Sequence, residues 1–211
     1  MRAKEVLTKE KILGTVAYRM MNKAAGAELL DQMPHVCIMD LAAVYYCILS
    51  QEEDCHTGAF ITWECCRHYG IQKEELDAAA GRNTKAAGFY SRRLSSVLGI
   101  REDCFPEFMY FLTNRERRYG ASVILYPDYL GKLAGEMGTD LYILPSSIHE
   151  VIAVTVSGMD PSALQDIVKE VNGTKGIIRP DEVLSNNVYR YRRDGGLTCV
   201  TGGNRFEEIG I

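Results

Sequence analysis

The sequence predicts an α+β protein, a mostly antiparallel sheet with helices packed on it, opened by an N-terminal helical segment. Three observations carry this. β-prone apolar runs occur in pairs separated by short polar turns, as in residues 41–49 and 58–62. Two segments carry clear helix starts, at Pro127 and at Asp160-Pro161. The chain of 211 residues is 46% hydrophobic and 25% charged, ordinary composition for a packed core.

The elements follow in order. Residues 4–31 read as helix, because Val6, Leu13, Val16, Ala17 and Met20 form an apolar face at roughly helical period. Pro34 bars its continuation. Residues 36–49 favour a strand, although the part around 41–44 also fits a helix. Its partner is 58–62, with 51–58 as the polar turn of a hairpin. Residues 63–70 read as a short helix ended by Gly70, 71–83 as a longer one rich in Glu, Leu and Ala, and 91–99 as another short one stopped at Gly99. Residues 101–107 are a loop and the best boundary within a single unit, between a helix-rich first part and a second part of alternating strands and helices.

In the second part, 108–114 and 120–127 read as strands around the polar turn 115–119. A helix starts at Pro127 and ends at Gly138. Residues 140–147 and 148–156 are neighbouring strands. Asp160 caps a helix that ends before Gly173. Asp194-Gly195-Gly196 marks a hairpin between two short terminal strands.

The net charge of −4 offers no global field to recruit nucleic acid or acidic lipid. The seven cysteines are Cys37, Cys47, Cys55, Cys65, Cys66, Cys104 and Cys199. Their number is odd, their spacing irregular, and several lie in apolar runs, as reduced buried thiols do. The first residues lack a signal-peptide pattern. The longest apolar run, 41–49, is about half of the roughly 18 residues a membrane span needs. These features point to a cytoplasmic protein with no membrane association.

Five segments together resemble an uncharacterised family of clostridial, gut-type bacterial proteins, a domain of unknown function. They are DLAAVYY (40–46), GIQKEELDAAAGRNT (70–84), LTNRERRYGA (112–121), LYILPSSIHEV (141–151) and EVLSNNVYRY (182–191). The resemblance implies a bacterial protein but no particular activity. Members of that family often carry additional sequence before the opening helix, so this chain reads as a short version.

The lead candidate site is 145–150, where Ser146, Ser147, His149 and Glu150 stand between two apolar runs. Serine nucleophiles need a base within hydrogen-bond reach and a group to orient that base. In extended backbone Ser147 and His149 share a face and Glu150 lies opposite, so the segment is not a local triad. No G-x-S-x-G elbow accompanies it. The plainer reading is a strand junction whose serines bond backbone. The site reading is a ligand or protein partner held at this polar edge, with Asn114, Tyr119 and Asn187 joining from neighbouring strand ends. Catalysis would need a carboxylate from elsewhere, such as Asp128 or Asp140, to meet His149.

Other constellations are weaker. Cys55, His56, Cys65, Cys66 and His68 fall close together but lack the paired spacing of zinc ligands, so no metal is expected. No cofactor is expected either, because the glycine-rich stretches at 172–176 and 201–204 match no phosphate-loop pattern. Arg115, Arg117 and Arg118 share one turn, and Arg190 and Arg192 alternate with Tyr189 and Tyr191. Tyrosines on one face of a strand and arginines on the other serve single-stranded nucleic acid only if the tyrosines are exposed. On an acidic chain they more often pack on the core, with the arginines as solvated edge charges. The sequence therefore favours a non-enzymatic ligand- or protein-binding module of regulatory type. A small hydrolase-like enzyme and a nucleic-acid binder remain the alternatives.

Overall fold

In a computed structural model, which describes residues 7–52, 55–101, 108–156 and 158–202, two antiparallel sheets share one apolar core. The α+β class with helices packed on antiparallel sheet is what the sequence predicts.

The first sheet is built around β3 (Leu41–Glu52), which pairs with β1 (Val16–Asn22) on one side and with β2 (His35–Ile38) and β4 (Cys55–Phe60) on the other. Period-two alternation sorts its side chains. Leu41 and Ala43 enter the shared core, while Tyr45 and Cys47 pack under α4 (Lys73–Ala86) and α1 (Lys9–Thr15). Ala42 and Val44 turn to the opposite face, against α2 (Ala27–Leu30).

The opening segment departs from the expected single helix. Only Lys9–Thr15 and Ala27–Leu30 are helical, and Val16–Asn22 is strand. The reason is non-local. Seven residue pairs with β3 hold Val16–Asn22 extended, and the α4 side chains Asn83 and Thr84 take up free backbone groups beside them. Asn83 Nδ2 donates to the carbonyls of Leu13 and Val16, and Tyr18 N–H donates to Thr84 Oγ1. The expected strand 36–49 is also divided, by a turn at Met39-Asp40 that makes β2 and β3 a hairpin. Met39 adopts φ 55° there. The hairpin of β3 with β4 is as expected, but its strands continue to Glu52 and from Cys55, through most of the segment read as turn.

The second sheet has the order β10-β9-β7-β8-β6-β5. Its strands are β5 (Phe89–Arg93), β6 (Met109–Asn114), β7 (Leu141–Leu144), β8 (Val151–Thr155), β9 (Tyr189–Tyr191) and β10 (Leu197–Cys199). β7 is buried on both faces. Leu141 and Ile143 join the shared core with α6 (Pro127–Met137), and Tyr142 and Leu144 pack with α7 (Pro161–Gly173) on the other face. The helices α3 (Trp63–Tyr69) and α6 end where glycine was expected to end them, at Gly70 and Gly138 in the left-handed conformation. Asp160 caps α7 through Ser162 N, but Gly173 is its last residue rather than the one beyond it. The short helix expected from residue 91 begins later, as α5 (Leu94–Leu98), because residues 91–93 pair with β6.

The second strand expected after the 115–119 turn is instead a 3₁₀ turn, Gly120–Leu125. Gly120 through Ile124 are all buried. A run buried on every side carries no periodicity, so its conformation follows from what surrounds it. The proposed boundary at 101–107 lies, apart from Arg101, outside the described residues. The shared core draws Met20, Leu41 and Ala43 from before it and Leu112, Leu141 and Ile143 from after it.

Candidate functional site

Residues 145–148 run beside residues 182–185. Leu184 N–H donates to the Ser146 carbonyl, Ser185 N–H to the Pro145 carbonyl, and Ile148 N–H to the Glu182 carbonyl. Pro145 lacks a donor but keeps its acceptor, and pairing passes to an isolated antiparallel bridge between Ser147 and Val183. The turn that follows brings Ser147 and His149 together through backbone. His149 N–H donates to Ser147 Oγ at 3.0 Å, and Ser147 is buried.

The imidazole faces away from that hydroxyl. His149 Nδ1 accepts from Tyr119 N–H at 3.2 Å, and Nε2 lies 3.2 Å from Glu182 Oε1. Glu182 Oε1 also takes the Arg179 guanidinium at 2.7 Å. Because Nδ1 is an acceptor, the ring proton sits on Nε2 and is donated to Glu182. Both ring nitrogens are therefore engaged, and no Ser147–His149 proton-transfer pair exists in this geometry. The carboxylate that meets His149 is Glu182, not Asp128 or Asp140. Asp128 pairs with Lys85, and Asp140 with Arg190. Burial raises the Glu150 carboxyl above the ordinary range, against a lowering hydrogen bond from Ser147.

Tyr119 links this turn to a cleft. Its ring stacks on His149, with centroids 5.5 Å apart, and its backbone takes φ 53°, a conformation that a tyrosine seldom adopts. Asn114 supports the bend by bonding both the N–H and the carbonyl of Arg118. Gly120 completes it. A Cβ there would overlap Thr113 Oγ1 and lie 2.5 Å from Asn114 N and 2.7 Å from the His149 carbonyl.

The cleft, about 560 Å³, opens between the first sheet and this bend. Tyr18, Tyr46, Tyr119, Asn83, Asn114 and Arg118 line it. Behind Tyr119 and Tyr46, the Arg19 guanidinium lies 4.6 Å from the Tyr119 ring centre, 4.9 Å from that of Phe60 and 5.7 Å from that of Tyr46. Arg118 lies 5.2 Å from the Tyr119 ring centre on its own account. Burial alone would raise the Tyr119 phenol, yet hydrogen bonds from Arg118 and Tyr46 and the Arg19 charge outweigh it and bring the phenol below its ordinary value.

Of the residues the sequence singles out, Tyr119 and Asn114 reach the cleft. Ser147 and His149 form its support, and Ser146 contributes backbone. Asn187 lies elsewhere: its Nδ2 donates to Asp40 Oδ2, beside Ser185 Oγ and the Tyr189 hydroxyl, which also donate to that carboxylate. Arg19, Tyr46 and Glu182 were not anticipated. The available signal was slight, Arg19 between Tyr18 and Met20 in a segment that reads equally well as helix.

The terminal tyrosines Tyr189 and Tyr191 are buried, and Arg190 forms a two-pronged contact with Asp140, so β9 offers no base-stacking face. The described cysteines are free thiols, and Cys55 and Cys104 fall where side chains are not described. Among the described residues no group of three or more His, Cys, Asp or Glu side chains converges to hold a metal. Among them, too, no helix is long and apolar enough to cross a membrane.

Fold and cleft define an α+β protein of two antiparallel sheets that meet over a tyrosine-lined recess. The chain belongs to DUF5688, a family of unknown function, whose sequence model covers residues 1–193. No curated protein and no solved structure matches it.

Proposed function

We propose that this protein is a non-enzymatic binding module of regulatory type, and that a small-molecule ligand occupies the cleft between Tyr46, Tyr119 and Arg118. The observation that carries this reading is the recess itself. Its volume suits a small organic molecule. Its walls combine apolar ring faces with a few convergent polar groups, the composition of ligand pockets. The strained backbone of Tyr119 adds support, because strain of this kind gathers at ligand clamps. Ser146, Ser147, His149 and Glu150 serve this reading as the polar turn that holds Tyr119 in place. A protein partner engaging the same edge is the form the module takes if no small molecule binds.

The reading extends to setting. Free thiols at Cys37, Cys47, Cys65, Cys66 and Cys199 suit a reducing cytoplasm, and the resemblance of the chain's motifs to clostridial, gut-type proteins suits a bacterial source.

The test is a screen of small metabolites against the ¹⁵N-labelled protein by NMR. Hits should shift resonances of Tyr18, Tyr46, Asn114 and Tyr119 together. Ala86→Trp, at an exposed position on the cleft rim, should block those shifts while leaving the remaining spectrum unchanged. Hits that map elsewhere, or that persist in Ala86→Trp, would defeat the proposal.

A further inference from the structure

We infer that the Arg118 end of the cleft is an oxyanion subsite, and that the ligand is a small planar acid whose ring lies against the tyrosine walls. This rests on the cleft being the binding site and names the chemistry it selects.

The argument starts from charge. Among the described residues neither Arg19 nor Arg118 has a carboxylate partner, although other arginines of the chain do: Arg179 pairs with Glu182 and Arg190 with Asp140. Arg19 is held among three aromatic rings, and its Nε is buried with no acceptor in reach. Taking a guanidinium out of water without an anion is unfavourable, and ring faces offset only part of that. The positive field of Arg19 reaches the cleft through the Tyr46 and Tyr119 rings, while the Arg118 guanidinium stands in the cleft wall beside the Tyr119 hydroxyl at 3.5 Å.

A planar guanidinium offers paired donors that fit a carboxylate or phosphate edge. The Tyr46 and Tyr119 rings meet edge to face beside it, with centroids 5.2 Å apart. Beyond these the wall turns apolar, with Ala17, Ile48 and Leu49 also lining the recess. A flat apolar body with one acidic group matches that division. Glu116 also lines the cleft, which disfavours a ligand of high negative charge and selects a monoanion such as an aromatic carboxylate. The phenol of Tyr119 reports on the subsite, since an anion bound beside Arg118 cancels the field that lowers it.

The experiment compares benzoate with benzamide, its uncharged isostere, by NMR titration of the full chain at constant ionic strength. Benzoate should bind in the cleft, and Arg118→Gln should weaken it by about ten-fold or more. Arg118→Lys should restore part of the loss, and Glu116→Gln should tighten binding. Benzoate should also move the lowest-titrating tyrosine signal, absent in Tyr119→Phe, to higher pH. Arg92→Gln, at an exposed position on the edge strand β5, should change nothing. If benzamide binds the cleft as well as benzoate does, or Arg118→Gln leaves benzoate unaffected, the oxyanion subsite is wrong and the cleft stands. If both probes shift residues only outside the cleft, or neither binds, the oxyanion subsite is wrong, and the cleft itself is decided by the metabolite screen and Ala86→Trp.

Discussion

His149 Nδ1 accepts the backbone N–H of Tyr119 at 3.2 Å across a sequence separation of 30. This one bond ties the turn after β7 to the bend after β6 and leaves Nε2 as the protonated nitrogen facing Glu182. Imidazole ¹⁵N shifts should show the Nε2–H tautomer at neutral pH. His149→Ala leaves the Tyr119 amide without an acceptor and leaves Glu182 only its contact with Arg179. Urea denaturation should record a loss of about 1–3 kcal/mol. A directly protonated Nδ1 would contradict the assignment.

Ser147→Ala tests the same turn from its other side. Ser147 Oγ is buried and accepts His149 N–H at 3.0 Å. The substitution should lower stability by about 1 kcal/mol through the unpaired amide. Ligand binding should weaken only as far as Tyr119 loses its position. Complete loss of binding at full stability would instead place the hydroxyl in contact with the ligand.

Gly120→Ala is expected to be among the most damaging single-methyl substitutions in the chain. The added carbon meets Thr113 Oγ1, Asn114 N and the His149 carbonyl, two of them backbone atoms that cannot swing aside. Overpacking of this kind costs about 1–3 kcal/mol and more where backbone must shift. Thermal unfolding should show the loss, and near-normal stability would mean that the bend is looser than its contacts indicate. Gly14→Ala, with open space around the added methyl group, is the matched control.

Glu150 makes stability depend on pH in a defined direction. Burial raises its carboxyl, the Glu182 charge adds to that, and Ser147 and His149 partly oppose it. A carboxyl raised in the folded state holds its proton more tightly there than in the unfolded chain. Its contribution is full below the unfolded value and is lost as pH rises through the raised folded value. Glu150→Gln keeps the neutral form throughout. It should be more stable than the parent protein near neutral pH, the difference closing below about pH 4. Urea midpoints measured across that range decide this, and a gap that widens toward acid would reverse the assignment.

The Asp40 carboxylate collects the Ser185 and Tyr189 hydroxyls and the Asn187 amide, joining the β2–β3 turn to the C-terminal hairpin. Tyr189 is fully buried. Tyr189→Phe should cost about 1–2 kcal/mol, and Asp40→Ala more, because three donors then lose their acceptor. Amide exchange in β9 and β10 should rise along with Met39 in the Asp40 variant. An unchanged hairpin would show that packing alone holds it.

Local chemistry decided much of the fold, and there the sequence is legible. Gly70 and Gly138 end helices because they adopt left-handed backbone without a Cβ penalty. Asp160 and Pro161 start α7 through a side-chain cap and a preset φ. Asp194-Gly195-Gly196 turns the terminal hairpin, with both glycines at positive φ.

Tertiary structure decided the rest. Val16–Asn22 has residues that suit a helix or a strand, and it became strand because β3 offered seven partners and α4 satisfied the backbone on its free side. The run Gly120–Leu125 is apolar throughout, so its 3₁₀ turn came from the contacts of Gly120 and not from any period. The candidate site divides in the same way. The serines, histidine and glutamate of 145–150 announce a polar turn between two strands, and Asn114 and Tyr119 are visible as polar strand-end residues. That Glu182 would orient His149, that Arg19 would stand behind Tyr46 and Tyr119, and that Asn187 would belong to Asp40 depended on which segments lie side by side. Such pairings join residues up to 147 positions apart. No local propensity encodes them, because each is set by the burial and backbone pairing of the chain as a whole.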